Sequence, residues 1–352
     1  MSFQSRTQRS AGSLVALVLA ALVLVTWRSA AHAEPETRVY LNGTPTPVYF
    51  NDGDSFRVLS GPLTGNKARL GGYNTLESFG PAHQWGTWNA WELYVNAKMA
   101  TLNARRGVWH CTSDMSRDGY GRTLWSCPDL AVDDVRKGLA HVYSVDDQPG
   151  RIEIIRAQRL AIAEHRGMWS HGVPQFIVTS IHSANESPDR DYSYNRMIST
   201  RDGHSDSMKH HENYDECQMV CMTEKQVDYA RVDAVAAQLR EDRMLAAAIA
   251  STAATTPPRQ PAEDSHNGPI PAIASLADLD NLHLSNATAF FLRHDELPQW
   301  VPPNAIAPLT RALAAAKASG ALGTVTEAPG SCMLNVSFNR RYGMNQAACL
   351  RH

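Results

Sequence analysis

The sequence predicts an α+β fold that is mostly β in its first half, a small barrel with three helices packed on it. Three observations carry this. Residues 37–126 are dominated by short apolar runs separated by turn residues. Three segments between Trp88 and Met168 place apolar residues at helical spacing. The strands do not alternate one-for-one with helices, which disfavours a parallel βαβ sheet.

The strand-like elements come first. Val48–Phe50 and Phe56–Leu59 flank Asn51-Asp52-Gly53-Asp54, a hairpin-turn sequence. Ala68–Tyr73 is a further short apolar run. Trp88, Trp91, Val95, Met99 and Leu102 then recur at spacings of three and four, which predicts a helix with that stripe facing the core. Gly107–Thr112 and Thr123–Cys127 read as a strand pair around a polar loop. Val132–His141 reads as a short helix, and Ile152–Met168 as a longer one with Ile152, Ile155 and Ile162 on one face.

After Gly172 the character changes, and a partly helical, partly disordered C-terminal extension is expected over 172–352. Ser187–Glu216 is polar and loop-like, Val227–Ala250 and Ala305–Ser319 are helix-prone, and 251–271 reads as a linker. With 352 residues, 43% of them hydrophobic, there is material for one large domain or two ordinary ones.

The N-terminus reads as a secretory signal over residues 1–33. Arg6 and Arg9 precede the apolar run Leu14–Val25, and Ala31-His32-Ala33 is a cleavage pattern. Cleavage after Ala33 predicts a secreted or periplasmic protein without stable membrane association. The alternative is an uncleaved N-terminal anchor, although the run is short for a membrane span. Six cysteines in an exported chain favour disulfides. Six allow 15 pairings. Proximity in sequence suggests Cys111–Cys127, Cys217–Cys221 and Cys332–Cys349.

Three motifs carry chemistry: Asp52-Gly53-Asp54-Ser55, then Arg69 through Asn74-Thr75 to Glu77, then Asp118-Gly119-Tyr120-Gly121-Arg122. Together they contain what phosphodiester hydrolysis needs. Asp54, Asn74 and Thr75 offer oxygen ligands to a hard divalent cation. Glu77 is a candidate base for an attacking water. Arg69 and Arg122 can bind charge on phosphoryl oxygens. The formal net charge of −2 excludes bulk positive charge as the source of phosphate attraction, so a local arginine arrangement must supply it.

The ordered set resembles the thermonuclease (staphylococcal-nuclease-like) family, with D-G-D-[ST], R-x-x-x-x-[DN]-[TA]-x-E and D-x-Y-G-R. Val135–Val142 resembles the family's V-x-x-G-L-A-x-V segment, and Ala157–Ser170 its last helix. The resemblance spans Glu36–His171. It implies a five-stranded OB-type barrel with three helices and Ca²⁺-dependent cleavage of DNA and RNA with little sugar specificity. It assigns calcium to Asp54, Asn74 and the Thr75 carbonyl, the general base to Glu77 and transition-state stabilisation to Arg69 and Arg122. Asp52 would lie beside the metal. Tyr120 would touch substrate or pack, and Tyr143 is a candidate for stacking on it.

Two departures stand out. Asn74 replaces the Asp of the best-known member, removing one negative charge from the metal site. Leu76 replaces the usual Pro, which leaves the loop carrying Glu77 freer. The resemblance also places Cys111 and Cys127 on paired strands pointing inward, which favours their bridge.

Other candidates point elsewhere. His204, His210, His211, Cys217 and Cys221 fit no zinc spacing and read as linker histidines beside a local disulfide. Trp85 reads as a packing residue, with base stacking the alternative. Two further functional readings remain. One is a non-cutting OB-type module that binds nucleic acid or protein, disfavoured because Arg69, Glu77 and Arg122 are all present. The other places the main activity in the C-terminal half, with the nuclease fold as an accessory; assaying the chain deleted after Gly172 discriminates the readings.

Overall fold

Ten short strands form the first half: β1 (Arg38–Leu41), β2 (Thr44–Thr46), β3 (Val48–Asp52), β4 (Ser55–Val58), β5 (Lys67–Leu70), β6 (Tyr73–Thr75), β7 (Ala82–Gln84), β8 (Val108–Cys111), β9 (Thr123–Trp125) and β10 (Ala140–Val142). The computed structural model describes residues 38–186, 192–260, 269–336 and 348–350. The expected secretory signal lies outside them.

Nine of these strands build three sheets, in the orders β2-β1-β8, β3-β4-β5-β9 and β6-β10. All three sheets share one apolar core that includes Val39, Phe50, Phe56, Leu70, Tyr73, Trp109, Trp125 and Val142. The fold is thus α+β, as expected. A single closed five-stranded barrel is not seen among the described residues. The strands are short, and β3 has an irregular register between Phe50 and Asp52, so the ladders stop before a ring closes. The predicted pairing of 107–112 with 123–127 reduces to one bridge, Thr112–Ser126. β8 instead pairs in parallel with β1, and β9 with β5. Cys111 and Cys127 do form a disulfide, as expected.

Helix α1 (Ala90–Ala104) starts at a capping box between Asn89 and Glu92. Its predicted core stripe is wrong. Val95 and Met99 are exposed, and Trp88 and Trp91 are only half-buried. The buried face is Leu93, Ala97, Ala100 and Ala104. Small side chains win because the β3–β4 turn lies directly on the helix. A Cβ on Gly53 would sit 2.8 Å from Ala100 Cβ and 2.5 Å from Thr75 Cγ2, so only glycine fits there. The displaced stripe lines an open groove with Leu139 and Gly167.

α2 (Pro128–Arg136) ends before Gly138, so the helix predicted over 132–141 divides into α2 and β10. α3 (Ile152–Ala163) buries Ile154, Ile155, Ala157, Gln158 and Ala161. Ile152 is exposed and Ile162 half-buried, so the predicted isoleucine face is corrected by about one position.

The second half is more ordered than its polar sequence suggests. β11 (Phe176–Ser180), β12 (Ser193–Ser199) and β13 (Ser205–His210) form an antiparallel sheet, the last two strands lying where a loop was expected. β14 (Met219–Gln226) pairs with β15 (Thr326–Leu334), and β15 pairs with β7 of the first half. The helix expected over 227–250 is two, α4 (Tyr229–Glu241) and α5 (Arg243–Ala253), because the Asp242 side chain caps α5. They pack with α6 (Asn281–His294) and α7 (Pro303–Ala318) around Val232, Leu284, Phe291 and Leu309. In the expected linker, Arg259 and Ile270 form a bridge, and residues 261–268 lie outside the described set.

Two disulfide expectations are overturned. Cys221 bonds Cys332, its cross-strand partner in the β14–β15 ladder, and Cys217 bonds Cys349. Strand register brings together cysteines that are remote in sequence. Three disulfides point to an oxidising compartment. Among the described residues, no helix is long and apolar enough to cross a membrane. The linker reading of His204 is also corrected. His204 is buried, with Nδ1 2.6 Å from Asp202 and the Asn286 amide 3.0 Å away.

Hydrogen bonds and one strand pairing join the two halves. Ser144 N donates to Gly203 O and Gly150 N to Asp202 O, each at 2.7 Å. The Gln158 side chain donates to Thr200 O, and Trp300 Nε1 to Asp147 O. Truncation after Gly172 would leave these groups and the β7 edge without partners. The truncated chain should therefore melt at least about 10 °C below the full chain, or without a cooperative transition. Equal melting temperatures by calorimetry would show that the halves are independent.

Candidate active site

The site is built where two chain reversals meet. The β3–β4 hairpin turns at Gly53 and Asp54, and β4 pairs with β5 so that Ser55 faces Arg69. Beyond Gly71-Gly72 the chain re-enters as β6, whose Asn74 faces His141 on β10. Asp54 therefore comes to lie beside Arg69, Asn74 and Thr75, although the two motifs are separated in sequence.

Asp54 is 4% exposed. Its Oδ1 is ion-paired with Arg69 Nη1, and its Oδ2 accepts the Thr75 amide at 2.8 Å. Arg69 Nη2 donates to Asn74 Oδ1. The Asn74 amide nitrogen reaches the Thr75 carbonyl at 2.9 Å and lies 3.5 Å from His141 Nε2. Asp52 accepts the Ser55 hydroxyl at 2.6 Å and stands beside Asp54. Tyr73 closes the base of the site by donating to Gly53 O at 2.8 Å.

Three carboxylates, Asp52, Asp54 and Glu77, act on one another's charge here. Burial, then the Asp54 charge, raises Asp52 to about 7. Burial, then Asp54 and Asp52, raises Glu77 to about 8, against a smaller pull from Arg69 and Arg122. Burial works against the charge on Arg69, but Asp54 and its neighbours outweigh it and raise its pKa. Burial pushes His141 down to about 4, so it is neutral at pH 7.

Glu77 is half-buried and follows Leu76, which is 1% exposed in a cluster with Trp85, Leu93 and Trp169. The loop expected to be loosened by Leu76 is instead pinned by it. Trp85 packs as expected, its Nε1 donating to Gly172 O at 3.1 Å.

Arg122 arrives on the loop before β9, the parallel neighbour of β5. Asp118 folds this loop. Its carboxylate accepts the Tyr120 and Arg122 amides and Arg122 Nε at 2.7–3.0 Å. Burial opposes the Asp118 charge, yet the hydrogen bonds from Arg122 hold its carboxyl below the usual range. Arg122 and Glu77 lie within electrostatic reach of each other. Tyr120 is 79% exposed, with its ring 5.4 Å from the Arg122 guanidinium carbon. Tyr143 places its ring 5.7 Å from the Arg69 guanidinium carbon.

No family model and no characterised protein matches the chain. The site is therefore interpreted from its geometry. Among the described residues, no three or more His, Cys, Asp or Glu side chains are arranged to hold a metal. The oxygen donors that do lie together are the Asp54 and Asp52 carboxylates, the Asn74 amide oxygen and the Thr75 carbonyl. The Asp54 and Asn74 oxygens already converge on the cationic Arg69. Burial first, and then neighbouring carboxylate charge, raises Asp52 and Glu77. An oxygen-seeking cation fits both features.

Two participants were not anticipated from sequence. His141 backs Asn74, and its only sequence signal was its place in the Gly138–Val142 run. Arg196, on β12, donates from Nη1 to the Tyr143 hydroxyl at 2.9 Å. Nothing local to its sequence marked it, because the contact spans the two halves.

Arg69→Met would leave Asp54 buried without its counter-charge and should destabilise the chain by about 3–5 kcal/mol. Adding Asp54→Asn removes the stranded charge and should recover part of that loss in urea unfolding. A double variant no more stable than Arg69→Met would contradict the burial argument.

Proposed function

We propose that the chain is an exported, calcium-dependent nuclease that hydrolyses phosphodiester bonds of DNA and RNA with little sugar specificity. One observation carries this reading. Asp54 of the first motif is bonded to Arg69 and Thr75 of the second, with Arg69 also on Asn74. The resemblance to thermonucleases rests on these same residues. The OB-type barrel that it implies is supported by the single core shared by the three small sheets.

Asp54, Asn74 and the Thr75 carbonyl, with Asp52 alongside, would hold the calcium, which would supply positive charge at the phosphate. Arg69 and Arg122 approach from neighbouring strands and donate paired hydrogen bonds to the phosphoryl oxygens as charge builds on them. Glu77, held by the buried Leu76, accepts the proton of the attacking water. With its pKa raised to about 8, chiefly by burial, Glu77 holds its proton at neutral pH and becomes available as a base as the pH rises through that value. Exposed Tyr120 and the Arg69-facing ring of Tyr143 flank the path of the strand. Export is supported by the three disulfides.

The purified full chain should degrade plasmid and single-stranded DNA with calcium and stop on chelation. Arg122→Ala and Glu77→Gln should each lower the single-turnover rate by about 10²–10⁴ while keeping the wild-type melting temperature within a few degrees. Full activity in either folded variant would sink the mechanism.

A further inference from the structure

The β11–β12–β13 sheet has two unlike faces. Alternation along β12 sends Ser193, Asn195 and Met197 inward, where Met197 packs with Phe176, Val220 and Met333. The other face carries half-buried Tyr194 and Arg196, with Tyr192 just before the strand. Across the ladder, Tyr194 faces exposed Lys209, while Arg196 lies between Ser180 and Ser207. Lys209 Nζ lies 4.6 Å from the Tyr192 ring, and the Arg196 guanidinium carbon 5.9 Å from the Tyr194 ring. Among the described residues of this face the charges are Arg196 and Lys209. Glu186 stands at the margin, paired with His182.

This face is continuous with the candidate active site. Arg196 holds the hydroxyl of Tyr143, whose ring adjoins Arg69. Arg196 Nε is buried without a hydrogen-bond partner among the described residues, while Nη1 is taken by the Tyr143 hydroxyl.

We infer that this sheet face, contributed by the second half, is the platform for the single strand of nucleic acid that leads into the site. Tyr194 and Tyr192, about 7 Å apart along the chain, stack on successive unpaired bases. Arg196 and Lys209 attract the backbone between them. A sequence-tolerant single-strand site combines these same parts, aromatic rings and flanking cations. A duplex offers no free base faces to the tyrosines, so the platform selects single strands. The inference rests on the nuclease reading for its occupant.

The test is fluorescence anisotropy of the full chain with a labelled oligothymidylate of about ten nucleotides, with calcium chelated so that no cleavage occurs. Tyr194→Ala should weaken binding by about 5- to 150-fold, and Tyr194→Phe should restore it. Lys209→Ala, at an exposed position, should lower the slope of log affinity against log salt by about one. If Tyr194→Ala does not fold, the Lys209→Ala slope decides. Unchanged affinity in folded Tyr194→Ala, an unchanged slope in Lys209→Ala, or equal affinity for a duplex overturns the platform. Cleavage by the wild type after calcium is restored is scored separately. Cleavage with unaltered binding in the variants rejects the platform alone, and platform-dependent binding without cleavage rejects the nuclease reading alone.

Discussion

Asp54 keeps a carboxylate almost out of reach of water, and Arg69 is the group that makes this tolerable. An unpaired buried carboxylate would cost several kcal/mol, so the chain must bring Arg69 to Asp54 when it folds. The β4–β5 register does so, and the Thr75 amide takes the second carboxylate oxygen. The rest of the site inherits its properties from this pair. Burial, and after it the Asp54 charge, raises Asp52 and Glu77. Asn74, in place of a further acid, accepts from Arg69 without adding to that repulsion.

The motifs were legible because their signals are local. A Gly-Asp turn between apolar runs is a hairpin whatever surrounds it, and the spacing from Arg69 to Glu77 brackets a short reversal into β6. The bond between Cys111 and Cys127 was read from the family resemblance, whereas closeness in sequence failed for the other four cysteines. Contacts set by distant chain were not readable. The buried face of α1 is chosen by the β3–β4 turn lying against Ala100, not by the largest apolar residues. The pairing of Cys221 with Cys332 follows from a ladder between strands more than a hundred residues apart, 111 in separation at the bond. The polar composition of β12 and β13 concealed strands because only alternate side chains are buried and several of those are Ser or Asn.

The larger revision concerns the second half. It looked like an appendage, yet β15 completes the sheet containing β7, and the β12–β13 region hydrogen-bonds the backbone around Ser144 and Gly150. β7 lies just beyond the Glu77 loop, so the second half braces the segment that carries the proposed base. It also contributes Arg196 to the Tyr143 hydroxyl. Active-site geometry and C-terminal architecture are therefore one structural problem in this chain.

The central claim is that Asp54, held by Arg69, is the anchor of a calcium site. The most direct measurement is thermal unfolding of the full chain across a calcium titration, alongside Asp54→Asn. A ligand that binds only the folded state stabilises it by about 2.7 kcal/mol at a hundred times its Kd. The account predicts a wild-type melting temperature that climbs with calcium and a variant that does not respond. A wild type indifferent to calcium, or an equal rise in Asp54→Asn, would contradict it.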